Sequence, residues 1–338
     1  MALKVRTVAR LVRAGHVRER LRAVRDGQAG LRAATVSSAL GTGVLAALRP
    51  GRTTAELAAE LAVTDHVLLE AYLRTLEAAH LVRTAGGRHR LARRGRAVLG
   101  DDVVRAAYES FAGYHTDLYR DLGHQLRGGP ARDDVVRHGD VIARLSRAFE
   151  PLVHDTLESA AATTRPRHVL DVGCGDGTNL VHMLRAAPAS RGTGVEIDPA
   201  AAALAEHALH RARLEDRAHV LTADARGLAP RQIGGEVDLA LLANVIYYVP
   251  ARDRPALLRD IGALLAPRGT LLVVSTMADR SVFSRHFDLL LRAQAGEMSL
   301  PTPEEVARDL RTAGFDVMGV RRLARGDPLH AVTARRPA

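Results

Sequence analysis

The segment Val169-Leu170-Asp171-Val172-Gly173-Cys174-Gly175-Asp176-Gly177 constrains this chain more than any other. An apolar run carrying an acid reads as a buried strand, and three glycines at alternate positions follow it. Glycine reaches backbone conformations that other residues avoid and puts no side chain between backbone and ligand. A strand that enters such a turn opens a doubly wound α/β domain, where ligands sit at the carboxyl edge of a parallel sheet. The dinucleotide fingerprint G-x-G-x-x-G is excluded, because Thr178 stands where its third glycine would be. The turn therefore suits a nucleoside rather than a pyrophosphate.

The downstream sequence repeats the pattern. Gly194-Val195-Glu196-Ile197-Asp198 reads as a second strand ending in acids, with Glu196 19 residues after Gly177. A parallel sheet places a ribose-binding carboxylate near there, and Ile197 would offer an apolar edge to the base. His219-Val220-Leu221 leads into Thr222-Ala223-Asp224-Ala225, and Val237 to Asn244 makes a fourth strand. An amphipathic helix over 256–265 and the turn Pro267-Arg268-Gly269 precede the apolar run Thr270 to Ser275. Further on, Pro301-Thr302-Pro303-Glu304 starts a helix that Ala313-Gly314-Phe315 closes. The expected fold class is thus an α/β Rossmann-like domain over 166–338, behind a mostly helical front.

The series Asp171-x-Gly173-x-Gly175-x-Gly177, Glu196, Asp224, Asn244 resembles the motifs of class I S-adenosylmethionine-dependent methyltransferases. The resemblance implies S-adenosylmethionine as cofactor and S-adenosylhomocysteine as product. It places Asp171, Gly173, Gly175 and Gly177 against the methionine, Glu196 on the ribose, and Ile197, Asp224 and Ala225 about the adenine. Asn244 to Tyr248 would wall the methyl group, and Phe283, His286 and Phe287 would close the pocket from the far side. No Cys/His cluster has zinc-ligand spacing, so no metal is expected.

Ahead of this domain, Thr53-Thr54-Ala55-Glu56 is a capping-box signature, and a second helix carries Leu68, Leu69, Tyr72, Leu73 and Leu76 at helical spacing. A hairpin turning at Gly86-Gly87 follows. Helix, turn, helix, hairpin is the winged-helix order. A DNA reader would expose Arg, Asn or Gln on its second helix, whereas this one offers Asp65, His66, Glu70, Arg74 and Glu77. Nucleic acid is therefore an unfavoured partner, although the hairpin region holds Arg83, Arg88, Arg90, Arg93, Arg94 and Arg96. A winged-helix front on such a domain resembles, in plan, the small-molecule methyltransferases of bacterial secondary metabolism and plant O-methyltransferases. That plan implies a homodimer formed through the front domain. The domains expected are a basic helical extension over 1–34, a winged helix over 35–100, a helical linker and pocket cap over 101–165, and the cofactor domain over 166–338.

Charge and cysteine set further bounds. The net charge is +10, and residues 1–34 supply +7 of it through nine basic side chains against Glu19 and Asp26. Leu3, Val8, Leu11, Val12, Leu21 and Val24 interleave with those arginines, so this extension reads first as a frayed or packed helical extension, with an amphipathic helix for a partner subunit or an anionic surface as the alternative, and its composition is also that of a transit peptide. Lys4 is the only lysine, which marks the arginine content as a coding bias rather than a nucleic-acid footprint. No apolar run reaches the ~20 residues of a membrane span. With Cys174 the only cysteine, no internal disulfide forms and a cytoplasmic setting is expected.

Residues 101–162 read as helices rich in aromatics for a chain only 3% aromatic. Tyr108, Phe111, Tyr114, Tyr119 and Phe149, with Tyr248, are substrate-pocket candidates by the family analogy, and a core stripe fits Tyr108, Phe111, His115 and Tyr119, spaced by three and four, equally well. The catalytic base is open. The O-methyltransferases carry a His where this chain has Tyr247, and a phenol with a pKa near 10 is a poor base at neutral pH. Candidates are Tyr247 itself, Glu150, His115 and His154; alternatively the acceptor is nucleophilic without help. A third possibility is methylation of an alkene carbon, as in prenyl-diphosphate C-methyltransferases, with Glu150 or a tyrosine removing the proton. Outside methyl transfer, the competing readings are a winged-helix DNA-binding regulator that senses S-adenosylmethionine, and an enzyme that uses the bound sulfonium only as an electrostatic aid.

Overall fold

A computed structural model describes Arg13 and residues 15–326 and 328–338; Leu3, Val8, Leu11 and Val12 of the basic extension lie outside the described residues. The chain forms two compact units, one of residues up to 126 with 138–147, the other of 127–137 with 148–338.

The first unit is helical apart from one hairpin. Its long helix α1 (Val17–Gly41) runs without a break across position 34 and buries Val36 and Ala39. After α2 (Val44–Ala47), helix α3 (Thr54–Glu60) begins with the expected capping box, Thr53 accepting from the Glu56 N–H and Glu56 from the Thr53 N–H. Helix α4 (His66–Ala78) is capped by Asp65 and buries Leu69, Leu73 and Leu76. Strands β1 (Val82–Ala85) and β2 (Arg88–Leu91) pair antiparallel. Both turn residues have positive φ, Gly86 at 56° and Gly87 at 71°, as a two-residue hairpin of this hand requires. The helix–turn–helix–hairpin order is as expected. Helices α5 (Arg93–Gly100), α6 (Asp102–Glu109) and α7 (His115–Gln125) follow, with a π-turn at Ser110–Tyr114 between the last two. After the short α8 (Asp134–Arg137), which belongs to the other unit, α9 (Gly139–Ser146) completes this one.

The second unit is built on seven strands: β3 (His168–Val172), β4 (Arg191–Glu196), β5 (Ala218–Thr222), β6 (Val237–Ala243), β7 (Leu265–Thr276), β8 (Asp316–Arg322) and β9 (Leu329–Arg335). Their order is β5-β4-β3-β6-β7-β9-β8, parallel from β5 to β7 with β9 antiparallel to both of its neighbours. Helices α10 (Glu150–Thr164), α11 (Thr178–Ala186), α12 (Pro199–Arg211), α13 (Arg254–Leu264), α14 (Val282–Arg292) and α15 (Pro303–Thr312) complete the unit. All five residues of β3 are buried, as a central strand covered on both faces demands. Leu170 and Val172 point into one core with Leu242 and Val273, while Val169 points into the other with Leu241 and Leu272. The chain builds outward from β3 to β5, then crosses to β6 and β7 on the other side. That reversal beside β3 is the switch point where a doubly wound sheet leaves a crevice.

Candidate functional site

The carboxyl ends of β3, β4, β5 and β6 converge on a cavity of about 560 Å³ in the second unit. Of the cofactor residues expected from sequence, Gly173, Glu196, Ile197, Asp224, Ala225 and Asn244 line it, as does Tyr248 from the substrate set. Each arrives by the same logic: a buried strand fixes its direction, and the first residues beyond its end face the crevice.

The glycine loop is shaped by its neighbours. Gly173 has φ 69°, and a Cβ there would stand 2.4 Å from Cγ2 of Val245 at the end of β6. Gly177, at φ 78°, begins α11 against the backbone of Ala205, 2.9 Å from where its Cβ would be. Gly175 is different: its surroundings are open, and its N–H donates to Glu196 Oε2 at 2.9 Å. The other oxygen of Glu196 accepts from the Asp198 N–H at 3.0 Å. The Glu196 carboxylate is thus held by two backbone donors at the cavity edge.

Asp171 is not part of the cavity surface. It sits one residue behind Val172 in β3, 1% exposed, and neither carboxylate oxygen has a hydrogen-bond partner. Burial, then the nearby charges of Glu196 and Asp176, push its pKa up to about 7; the Leu180 N–H opposes this weakly without reaching hydrogen-bond geometry. A buried carboxyl of this kind needs a donor or a cation to ionise comfortably. Cys174 between them is buried, and burial raises its thiol well above the usual range; a Cβ on Gly194 would lie 2.8 Å from its sulfur. It is a packing residue.

Asp224 is gripped by Arg226, whose Nε lies 2.9 Å from Oδ2 and whose backbone N–H lies 2.9 Å from Oδ1. This pairing holds the carboxyl below its ordinary pKa. Asn244 adopts φ 55° where β6 ends, its N–H donating to Val274 O at 2.8 Å and its Oδ1 accepting from the Thr276 N–H at 3.4 Å. Asparagine tolerates this left-handed bend better than most residues, so it turns the chain as well as lining the cavity.

Tyr247 is buried away from the cavity surface, in a small cluster with Leu291 and Leu300. Its ring meets Tyr248 edge-on at 4.6 Å and Phe287 at 5.4 Å. Burial raises the Tyr248 phenol. Glu150 begins α10 and is half-buried. His154 stacks on His182 at 3.8 Å, and Phe149 packs on the core below the sheet. Tyr108, Phe111, Tyr114, His115 and Tyr119 belong to the first unit. There Arg94 donates to the Tyr108 hydroxyl at 2.9 Å, Tyr114 stacks on His138 at 4.6 Å, and Phe111 and Tyr119 are exposed. Among the described residues, no group of three or more His, Cys, Asp or Glu could hold a metal ion.

Val245, within the expected wall over 244–248, lines the cavity, whereas sequence reasoning missed Arg226, Val135 and Met298, all in its wall. Arg226 stands two residues from Asp224, so it was legible locally. Val135 and Met298 come from distant segments that carry no local motif.

The family model described as a methyltransferase domain matches residues 143–320. Aclacinomycin 10-hydroxylase from Streptomyces purpurascens is 32% identical over 177 residues, 51% of this chain and 42% of that protein. The chain spans less than half the length of the curated relatives it matches. Among solved structures, an O-methyltransferase family protein from Burkholderia thailandensis superposes with a TM-score of 0.77 at 22% identity, covering 94% of this chain and 98% of that one. Mitomycin 7-O-methyltransferase superposes at 0.74 with 23% identity, covering 98% and 99%.

Proposed function

The chain belongs to the methyltransferase-domain family, and on that premise we propose that it transfers a methyl group from S-adenosylmethionine to a small-molecule acceptor of secondary metabolism. The observation that carries this reading is the Asp171 carboxyl, buried without a partner behind a glycine loop that donates from Gly175 to the anchored Glu196. The set fits the cofactor. Asp171 supplies negative charge for the methionine ammonium, directly or through a water, and Glu196 accepts from the ribose hydroxyls. Ile197, 66% exposed beside the cavity, gives the adenine an apolar face. Asp224, both oxygens of which Arg226 holds in direction, faces the adenine amino group.

When bound, the cofactor would supply an electrophilic sulfonium methyl. The protein's part is to hold the acceptor in line with it and to exclude water, effects worth up to about 7–11 kcal/mol. Val245, Tyr248 and Met298 make that wall apolar. With Tyr248 raised by burial, the wall offers no ready base at neutral pH. An acceptor that is already nucleophilic, such as an amine, enolate or indole, suits it best. The names of an aclacinomycin hydroxylase and a mitomycin O-methyltransferase among its relatives support a secondary-metabolic acceptor, and the exposed apolar residues of α1 support the homodimer we also propose. No helix among the described residues is long and apolar enough to cross a membrane.

One relative is named a hydroxylase, which favours as second reading an enzyme that binds the sulfonium without spending its methyl. Incubation with methyl-labelled S-adenosylmethionine and a soluble extract of the source cells separates the two. Label in an extractable small molecule, with S-adenosylhomocysteine released in step, is the expected result. An oxygenated product with no S-adenosylhomocysteine would overturn methyl transfer, and label confined to protein or nucleic acid would overturn the small-molecule acceptor.

A further inference from the structure

One edge of the cavity is closed by a strap that the methyltransferase motifs do not include. Residues 127–137 pack with the sheet unit, although the chain before and after them belongs to the helical one. Gly128-Gly129-Pro130 gives it a helix-breaking start. The strap is then clipped to the end of α14. The Arg132 N–H donates to Ala293 O at 2.8 Å, and the Ala295 N–H returns to Arg132 O at 3.3 Å. Between these, the Gln294 amide donates to Asp134 Oδ2 and to Leu290 O, both at 3.0 Å, and its Oε1 accepts from the Val135 N–H at 3.4 Å. Arg132 forks onto the same Asp134 at 2.6 and 2.9 Å.

Asp134 is 5% exposed and Gln294 6%. Buried polar groups are costly unless satisfied, so two that satisfy each other across 160 residues of sequence fix one arrangement strongly. The consequence falls on the next residue along. Val135 forms part of the cavity wall, and Met298, four residues past Gln294, forms another part. The Met298 side is braced separately: the buried guanidinium of Arg254 donates to Ser299 O at 2.6 Å, and Asp288 accepts from the Leu300 N–H at 2.9 Å.

We infer that Gln294 and Asp134 form a latch that positions Val135 against the bound cofactor, so that ligand affinity depends on two residues that do not line the cavity. The inference rests on the proposed cofactor reading of that cavity. Gln294→Leu is the selective probe. It removes the side-chain tie between strap and α14 while the two backbone bonds at Arg132 remain, keeps the side-chain volume, and leaves Asp134 its Arg132 partner. Asp134→Asn weakens the tie from the other end, and Val135→Ala shortens the wall without touching the latch.

Three measurements on the full chain test it: trypsin cleavage after Arg132 and Arg137 of the strap, calorimetric affinity for S-adenosylhomocysteine, and thermal melting. Loss of a buried, shared amide should open the strap and weaken binding about tenfold in Gln294→Leu, with Asp134→Asn in the same direction. Cleavage within α15, after Arg308, should not change. Val135→Ala should weaken binding a few-fold with the strap still protected. Wild-type affinity in both latch variants despite faster strap cleavage would overturn the inference, as would faster cleavage at Arg308 by the same factor, which marks general unfolding. If the wild type binds no S-adenosylhomocysteine, the cofactor reading fails, and the latch is judged by strap cleavage alone: equal rates in wild type and Gln294→Leu then reject it.

Discussion

Asp171 shows at the scale of one residue how a site can be legible in type and hidden in state. Its place before the glycines marks it as a ligand-facing acid; that neither oxygen has a partner depends on what packs around β3, which no local pattern encodes. Its pKa, pushed up to about 7 from the ordinary 3.8 of an aspartate, has a consequence for stability. The folded protein holds the proton more tightly than the unfolded chain, so ionisation opposes folding. The ligand-free protein should therefore lose stability as pH rises from about 4 to 7 and level off above, by a few kcal/mol at most. Asp171→Asn should flatten that slope and raise the melting temperature at pH 8, while weakening S-adenosylhomocysteine binding. Melts of both proteins from pH 5 to 8 check it; parallel curves would show that Asp171 is ionised throughout. Glu196 is the complementary case. Glu196→Gln keeps the shape but leaves a neutral acceptor facing the Gly175 and Asp198 N–H groups and the ribose. A loss of about 3 kcal/mol, roughly a hundredfold in affinity, is expected for charged hydrogen bonds of this kind, and calorimetry reads it directly.

Elements were read from sequence where their signals are local. Buried parallel strands announce themselves as apolar runs, and β3, β4, β5 and β6 each stand where such a run ends at a polar residue. The capping boxes of α3 and α15 are equally local. The strap at 127–137 carries locally only the helix break Gly128-Gly129-Pro130, because what makes it an element is a pair 160 residues apart. Likewise Tyr247 was expected to wall the methyl group, but its contacts with Leu291 and Phe287 come from α14 and draw it into a separate cluster. The glycine loop itself separates two physical costs. Gly173 and Gly175 both have positive φ, but only Gly173 faces a neighbour that a Cβ would strike. Gly175→Ala should cost about 1–2 kcal/mol of left-handed strain. Gly173→Ala adds the displacement of Val245 from the cavity wall, so it should melt lower and bind S-adenosylhomocysteine more weakly than Gly175→Ala. Equal losses in the two variants would show that backbone strain alone sets the loop's need for glycine.

For the whole molecule, the question is what the first unit contributes besides a helical core. The hairpin order raised DNA as a partner, yet Asp65, Glu70 and Glu77 are all exposed on or beside α4, where phosphates would have to approach. Helix α1 offers something else. Leu21, Val24 and Leu31 are 56%, 57% and 69% exposed on it, at spacings of three and seven that keep them on one side of a helix. Isolated exposed leucines are ordinary, but three on one stripe of a 25-residue helix suit burial against a second copy. Arginines at 18, 22, 25 and 32 flank the stripe, so the surface discourages general aggregation while the apolar seam remains. Burying a Leu or Val side chain is worth about 1.5–3 kcal/mol, and a two-fold contact counts each residue twice. Leu21→Glu combined with Val24→Glu should therefore raise the dimer dissociation constant by a hundredfold or more. Sedimentation equilibrium on wild type and double variant measures it, with the melting temperature as control for folding of the first unit. A wild type that sediments as a monomer at micromolar concentration would remove the dimer. A double variant that remains a dimer would move the interface off α1 to another face of the chain.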